Sequence, residues 1–161
     1  MKKLRRYLGR EVPSPVGNLT LLASEKGLAG IYFEERYEGD WVAGESEFLD
    51  QAEKELGEYF AGERVEFKVA LDAVGTEFQS AVWMALRTIP FGEVVSYLQI
   101  AEQINNPKAV RAVGLANGAN PISIIVPCHR VIGADGKLTG YGGGLERKRT
   151  LLVHEKAGIL C

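Results

Sequence analysis

The residues best suited to chemistry in this chain are a cysteine, a histidine and an arginine in direct succession, Cys128, His129 and Arg130. Cysteine is scarce: the 161 residues contain only two, and the other, Cys161, is the last residue. A free thiol has a pKa of about 8.5, so little thiolate exists at neutral pH unless neighbouring cations or a base raise that fraction. The pattern indicates a nucleophilic thiol, although a buried, inert cysteine is the common alternative.

Direct contact between the Cys128 thiol and the His129 imidazole is not expected. Side chains of adjacent residues point to opposite faces of a strand and diverge by about 100° on a helix. We therefore expect the thiol proton to reach His129 through one bound water. His129 then needs a carboxylate from elsewhere in the chain to orient it, as in other nucleophile–base–acid arrangements.

Composition limits the classes of protein to consider. Hydrophobic residues make up 46% and charged residues 25%, which is ordinary for a globular protein. No apolar run approaches the roughly 20 residues that cross a bilayer, and the cysteine count does not suggest a disulfide framework. The soft ligands Cys128, His129, His154 and Cys161 follow no common zinc spacing. We expect a reduced, cytoplasmic protein with no membrane partner and no metal.

Charge is distributed unevenly along the chain. Residues 1–74 carry 10 Lys/Arg and 15 Asp/Glu, whereas residues 75–161 carry 9 and 6. An acidic first part followed by a mildly basic second part hints that the second part faces an anion. The sign of the charge changes at the segment 72–75, where we place the boundary between an N-terminal domain, 1–74, and a C-terminal domain, 75–161.

The N-terminal part reads as strands followed by a helix. Apolar runs on either side of residues 25–27 predict a β-hairpin with its turn there. Helical periodicity over 45–61 places Phe48, Ala52, Leu56 and Tyr59 on one apolar face. Alternation over 65–71 predicts a further strand.

The C-terminal part reads as mostly helical. Thr76 with Gln79 predicts a capping box, and Ser96 predicts the cap of a short helix. Asn106 is expected to cap the next helix, with Pro107 at its first position, so that the two short helices resemble a helix-turn-helix. The run 122–127 reads as a buried strand that leads into Cys128.

The second short helix is built almost entirely from small residues, with Arg111 as its one large charged side chain. Gly114 in the middle of a helix costs about 1 kcal/mol relative to alanine. Close approach of this helix to a partner is therefore a hypothesis worth testing. In the final helix, roughly 145–157, Arg147 and Lys148 are expected on a solvated face, with contact to the DNA backbone as the alternative.

Several long motifs now indicate a family. "PCHRVI" is preceded by "RAVGLANGANP" and followed by "GYGGGLERKRTLLVHE", and "GTEFQSAVW", "IPFGEVVSY" and "NPKAVRAVG" stand in the family's order. These motifs resemble those of the O6-alkylguanine-DNA alkyltransferases, closely over 75–157 and in outline over 1–74. The resemblance implies an α/β (α+β) protein, with a small RNase H-like domain of sheet and helix before a helical, winged-helix-like domain.

The resemblance also implies catalytic roles. Cys128 corresponds to the thiolate that takes the alkyl group irreversibly from guanine O6, in a single turnover that restores guanine. His129 corresponds to the base that receives the thiol proton through water, and Glu155 to the carboxylate that orients it. Tyr97 corresponds to the phenol that donates to the departing guanine.

Contacts with DNA are implied for the second short helix and the turn before it. Arg111 corresponds to the side chain that enters the duplex and fills the space of the flipped nucleotide. The small residues Ala112 and Gly114 suit a narrow minor groove, and Asn106 is a candidate phosphate contact.

The pocket for the flipped base is implied by four further residues. Asn120 corresponds to the hinge between the recognition helix and the cysteine loop. The Val131 carbonyl corresponds to part of the pocket rim, and Tyr141 and Gly143 to its wall.

The implied partner is double-stranded DNA containing O6-alkylguanine, bound by a monomer through the minor groove, without a cofactor. Some relatives bind zinc through N-terminal Cys and His, but residues 1–127 contain neither residue, so no such metal is expected. Two alternatives remain open: a DNA-binding module without chemistry, and a cysteine hydrolase that uses Cys128, His129 and Glu155. Activity on O4-alkylthymine also remains open.

Overall fold

The computed structural model describes residues 7–34, 37–133, 136, 141 and 144–156. The chain divides into two compact units, Met1–Val74 and Gly75–Cys161. The first unit holds a four-stranded sheet and one helix, and the second holds four α-helices and a small two-stranded sheet among its described residues. The predicted α+β class is confirmed.

The sheet of the first unit has the order β3-β2-β1-β4. Its strands are β1 Tyr7–Val12, β2 Leu19–Ala23, β3 Leu28–Phe33 and β4 Trp41–Ala43. Strands β1, β2 and β3 are antiparallel neighbours, and β4 is parallel to β1. The predicted hairpin is confirmed as β2 and β3, closed by a bond of 2.9 Å from the Ser24 N–H to the Gly27 carbonyl.

Helix α1, Glu47–Phe60, follows the sheet and begins at Ser46, whose hydroxyl accepts from the Leu49 N–H. Its buried apolar face contains Leu49 together with Ala52, Leu56 and Tyr59. The prediction placed Phe48 on this face, but Phe48 is only half-buried. Leu49, Ala52, Leu56 and Tyr59 are spaced by three, four and three residues, as on one stripe of a helix, so Leu49 takes the buried position predicted for Phe48.

The predicted strand over 65–71 is wrong, because a side chain takes the bonds that a ladder would have used. The buried Glu55 carboxylate accepts from the Lys68 and Val69 N–H groups at 3.0 and 3.1 Å. Among the described residues, this segment forms one isolated bridge, between Leu28 and Leu71. The alternating pattern thus marks an extended segment fastened to α1 by a carboxylate.

In the second unit the described elements follow one another as helices separated by short extended pieces. They are α2 Glu77–Leu86, β5 Val95–Ser96, α3 Tyr97–Gln103, α4 Val110–Gly118, a 3₁₀ turn Cys128–Arg130, β6 Val131–Ile132 and α5 Leu145–His154. The two predicted caps are confirmed, since Thr76 with Gln79 and Ser96 with Gln99 each form a reciprocal capping box.

Helix α4 begins later than its sequence predicts. Its N-cap is Ala109, without a side-chain cap bond, so the expected cap at Asn106 is wrong. The Asn106 carbonyl instead accepts from the Ala109 N–H at 2.9 Å, which makes a separate turn around Pro107. Trp83 of α2 fastens α4 by donating its indole N–H to the Ala116 carbonyl at 2.8 Å.

The apolar run before the cysteine is buried but is not a strand. Ile124 has a φ of 74°, a left-handed conformation that is strained for a β-branched residue. The Val126 N–H bonds to the Ile122 carbonyl at 3.0 Å, so the chain turns back on itself here. Cys128 therefore lies at the start of the 3₁₀ turn, behind a strained loop.

No helix in the described part of the chain is both long and apolar enough to cross a membrane.

Candidate active site around Cys128

The Cys128 thiol is free and almost fully buried, with 4% of the residue exposed. Burial raises the pKa of this thiol, because a thiolate is poorly solvated there. Hydrogen bonds with Asn120 and Tyr141 and the charge of Lys148 act in the opposite direction. The resting thiol is therefore protonated, in surroundings that hold groups able to stabilise its anion.

His129 and Arg130 share one carboxylate, that of Glu155. His129 Nε2 lies 2.8 Å from Glu155 Oε2, and Arg130 Nε donates to Glu155 Oε1 at 2.7 Å. Arg130 also donates to Glu155 Oε2 and to the Ile89 carbonyl, at 3.0 and 2.6 Å. This three-residue cluster is buried, so its charges are paired inside the protein.

Glu155 is the negatively charged member of this cluster. Burial would raise its pKa, but the hydrogen bonds and charges of His129 and Arg130 outweigh burial and bring it to about 2. Burial lowers the pKa of His129, so its imidazole is neutral at neutral pH. An ionised carboxylate requires the proton on Nε2, which leaves Nδ1 as an acceptor. Nδ1 is buried and has no hydrogen-bond partner among the described residues, so its lone pair can take a proton.

Lys148 is a component that the sequence analysis misplaced. It was expected on a solvated face of the final helix, but it is 0% exposed and donates to the Val131 carbonyl at 2.6 Å. Burial lowers its pKa to about 8, partly opposed by attraction to Cys128. The signal was present in the sequence, since Lys148 lies three and four residues before Leu151 and Leu152, on the buried face of α5.

Two asparagines hold the loop that carries the thiol. Asn120 donates to the Val126 carbonyl at 2.8 Å and accepts from the Ile122 N–H at 3.0 Å. Asn117, which the sequence analysis missed, donates to the Cys128 carbonyl at 3.4 Å from α4. These amides replace the backbone ladder that a strand would have supplied.

The residues expected to touch DNA lie on and before α4. Asn106, Arg111 and Ala112 are exposed, and Gly114 is half-buried. A Cβ built at Gly114 would meet no atom within 4 Å, so packing inside the protein does not require the glycine. The open space at Gly114 leaves room for another molecule against α4, as DNA contact would require.

The small sheet brings the start of α3, where Tyr97 lies, close to Val131. Parallel pairing of β5 with β6 sets Val95 beside Val131 and Ser96 beside Ile132, so Tyr97 begins α3 next to the strand that follows the thiol. Tyr97 and Tyr141 are half-buried. Gly143 lies outside the described residues.

Among the described residues, no group of three or more His, Cys, Asp or Glu is arranged to hold a metal ion.

Fold and site together define an α+β protein with a buried thiol, a buried His–Glu pair that begins at the next residue, and a neighbouring helix, α4, that contains no acidic residue. The sequence profile described as "6-O-methylguanine DNA methyltransferase, DNA binding domain" matches residues 77–157. The profile of that family's ribonuclease-like domain matches residues 3–73.

Curated relatives agree with the profiles over nearly the whole chain. A methylated-DNA–protein-cysteine methyltransferase of Mycolicibacterium paratuberculosis is 56% identical over 151 residues, covering 91% of each chain. One from Methanosarcina acetivorans is 54% identical and covers 88% of this chain and 94% of its own.

Solved structures agree as well. The Mycobacterium tuberculosis O6-methylguanine methyltransferase matches with a TM-score of 0.86, 55% identity and 93% coverage of both chains. Mycobacterium tuberculosis OGT in complex with DNA matches with a TM-score of 0.85 and 54% identity, covering 94% of this chain and 93% of its own. The chain belongs to the 6-O-methylguanine DNA methyltransferase family, as its motifs predicted.

Proposed function

We propose that this protein repairs DNA by moving the alkyl group of O6-alkylguanine onto the Cys128 sulfur, once per chain. The observation that carries the proposal is a buried thiol followed directly in sequence by an oriented, neutral imidazole, inside the part of the chain that matches the family's DNA-binding domain. Neither a surface cysteine nor a histidine without a carboxylate would offer this chemistry.

Activation begins with a proton. The neutral His129 holds its own proton on Nε2 against Glu155, so Nδ1 accepts the thiol proton through one water. The resulting imidazolium is stabilised by the Glu155 carboxylate, and the thiolate by the Lys148 charge and by hydrogen bonds from Asn120 and Tyr141.

Transfer is a single displacement in which atoms and electrons balance. A sulfur lone pair forms the bond to the alkyl carbon, and the carbon–O6 bond breaks with its electrons going to guanine. Tyr97 donates a proton to the departing guanine, and the proton that His129 took from the thiol returns through water to the Tyr97 oxygen, so guanine leaves neutral. The product is a thioether, which water does not readily cleave, so the protein is consumed.

Access to the alkyl group requires the nucleotide to leave the base stack, at a cost of a few kcal/mol. Arg111 enters the duplex and occupies the space that the flipped nucleotide leaves. Ala112 and Gly114 let α4 approach the minor groove, which carries little sequence information and so suits repair at any guanine. Asn106 contacts a phosphate. A monomer performs all of these steps.

The flipped base is held beside the thiol. Asn120 acts as the hinge between α4 and the loop of Cys128, the Val131 carbonyl forms part of the rim, and Tyr141 forms the wall together with Gly143. The Val131 carbonyl already accepts from Lys148, but a carbonyl oxygen has a second lone pair for the base.

The test is intact-mass analysis after incubation with duplex DNA that contains O6-methylguanine. We expect the protein to gain one methyl group, in a peptide containing Cys128, while the lesion disappears. Because the chain has only two cysteines, Cys161→Ser is the matched control and should still gain the methyl group. Cys128→Ala should bind the DNA and leave the lesion intact. Persistence of both the lesion and the unmodified protein would contradict the proposal.

A further inference from the structure

Leu115 stands out on the surface of the second unit, because 78% of this large apolar residue is exposed to solvent. Helix α4 turns Val113, Ala116 and Asn117 inward, so the helix is already anchored without it. Nothing in the packing of the described residues accounts for a leucine at this position.

Leu115 shares a helical face with Arg111. Residues four apart on a helix are neighbours, separated by about 6 Å along the axis. Every other exposed or half-buried residue of α4 that follows Arg111 has a small side chain or none: Ala112, Gly114 and Gly118. The outer face of α4 therefore presents two long side chains, the cationic Arg111 and the apolar Leu115, among residues with small side chains.

The charge around this face fits a polyanion. No Asp or Glu occurs between Glu102 and Asp135, whereas Lys108 and Arg111 lie within that stretch and both are exposed. The same stretch lies inside the match to the family's DNA-binding domain. Duplex DNA is the occupant that these charges favour.

We propose that Leu115 is a second DNA-contacting side chain, which packs against deoxyribose and base edges in the minor groove one helical turn from Arg111. Apolar side chains can wedge into a minor groove and help to open base steps, so Leu115 would support the duplex beside the flipped nucleotide. This inference rests on the proposed function for the identity of the DNA lesion.

An apolar contact has a signature that separates it from a charged one. Affinity gained from neutralising phosphates falls with salt because counterions are released, whereas burial of a leucine releases none. Loss of Leu115 should therefore lower the affinity at every salt concentration by the same factor.

The experiment measures binding of a short duplex with a single O6-methylguanine at several salt concentrations, in the Cys128→Ala background so that no transfer occurs. We expect Leu115→Ala to weaken binding about tenfold, with an unchanged dependence on salt. Leu115→Met, which keeps apolar bulk, should restore most of the affinity. Arg111→Ala should weaken binding and also flatten the salt dependence.

Met84 provides the matched control, because it is an apolar residue 71% exposed on α2. Met84→Ala should bind DNA like the parent protein. The inference is overturned if Leu115→Ala binds DNA like the parent protein, or if Leu115→Ala and Met84→Ala weaken binding equally. It is also overturned if the loss of affinity caused by Leu115→Ala disappears at high salt.

A second measurement keeps this inference separate from the proposed function. With Cys128 intact, Leu115→Ala should react with the free base O6-benzylguanine as fast as the parent protein, and its Tm should be unchanged. If the parent protein fails to react with the free base and with methylated DNA, the proposed function fails. If only the behaviour of Leu115 departs from expectation, the inference alone fails.

Discussion

Cys128 is subject to opposing influences at the scale of single residues. Burial disfavours the thiolate, while two hydrogen bonds and the Lys148 charge favour it. A thiol that is mostly protonated at rest is protected from oxidants and adventitious alkylating agents, because the thiolate is the reactive form. In the mechanism that we propose, activation depends on His129 and on the charge of Lys148.

Lys148→Met tests the contribution of that cation. Removing the charge should raise the pKa of Cys128 and slow alkylation by the free base O6-benzylguanine about tenfold at neutral pH, since one pKa unit is a factor of ten. The rate–pH profile should shift toward higher pH. Methionine fills a similar volume but leaves the Val131 carbonyl without the Lys148 donor, so the rates are compared at a temperature well below the Tm of the variant.

Lys54→Met serves as the matched control, because Lys54 is an exposed lysine on α1. Its rate–pH profile should coincide with that of the parent protein. An unshifted profile for Lys148→Met would show that the buried ammonium has no electrostatic effect on the thiol.

At the scale of elements, Glu155 is the point where three segments of the second unit meet. It stands at the end of α5, binds His129 and Arg130 of the 3₁₀ turn, and through Arg130 is linked to the carbonyl of Ile89, which follows α2. Arg130 and His129 both lose their buried acceptor when this carboxylate is lost.

Glu155→Gln should therefore cost about 3–5 kcal/mol of stability at neutral pH, as expected when one partner of a buried charge cluster is removed. The pKa of Glu155 is held at about 2, below its ordinary value of 4.5. Its contribution is thus present above about pH 4.5 and is lost as the pH falls toward 2. Urea unfolding at several pH values should show a shallower acid slope for the variant.

Glu58→Gln is the control for this measurement. Glu58 pairs with Arg64 at 3.0 Å but is partly exposed, so its loss should cost less than about 1 kcal/mol. A cost for Glu155→Gln no larger than that of the control would contradict the central place given to this carboxylate.

The sequence predicted those helix starts and turns whose hydrogen bonds join residues close together in the chain. The capping boxes at Thr76 and Ser96 each involve residues three apart, and the sequence contains both partners. The segments 65–71 and 122–127 failed as strands because their backbone groups bond to Glu55 and to Asn120 or a nearby turn. A side chain that competes for backbone donors from 13 residues away leaves no periodic signal.

The residues of the candidate site also fall into those that the sequence predicted and those that it missed. The motif around Cys128 and the family resemblance supplied His129 and Glu155, whose 2.8 Å contact spans 26 residues and could not follow from periodicity. Arg130 as a partner of Glu155, the buried Lys148 and the loop-holding Asn117 were missed, since charged and amide side chains are ordinarily assigned to solvent.

At the scale of the whole molecule, the two units differ in charge and in chemistry. The first is acidic and the second basic, and the thiol, its proposed base His129 and the helix α4 without acidic residues all belong to the second. Phosphates are therefore attracted to the unit that carries the proposed reaction. No part of that reaction regenerates the thiol, so one chain can repair one lesion.

The most direct test of this account is a titration of O6-methylguanine in duplex DNA against a fixed amount of the protein, with guanine and S-methylcysteine both counted. The account predicts that each chain restores one guanine and gains one methyl group on Cys128, after which repair stops however long the incubation continues. Repair of many lesions per chain, or lesions lost without a methyl group on Cys128, would contradict it.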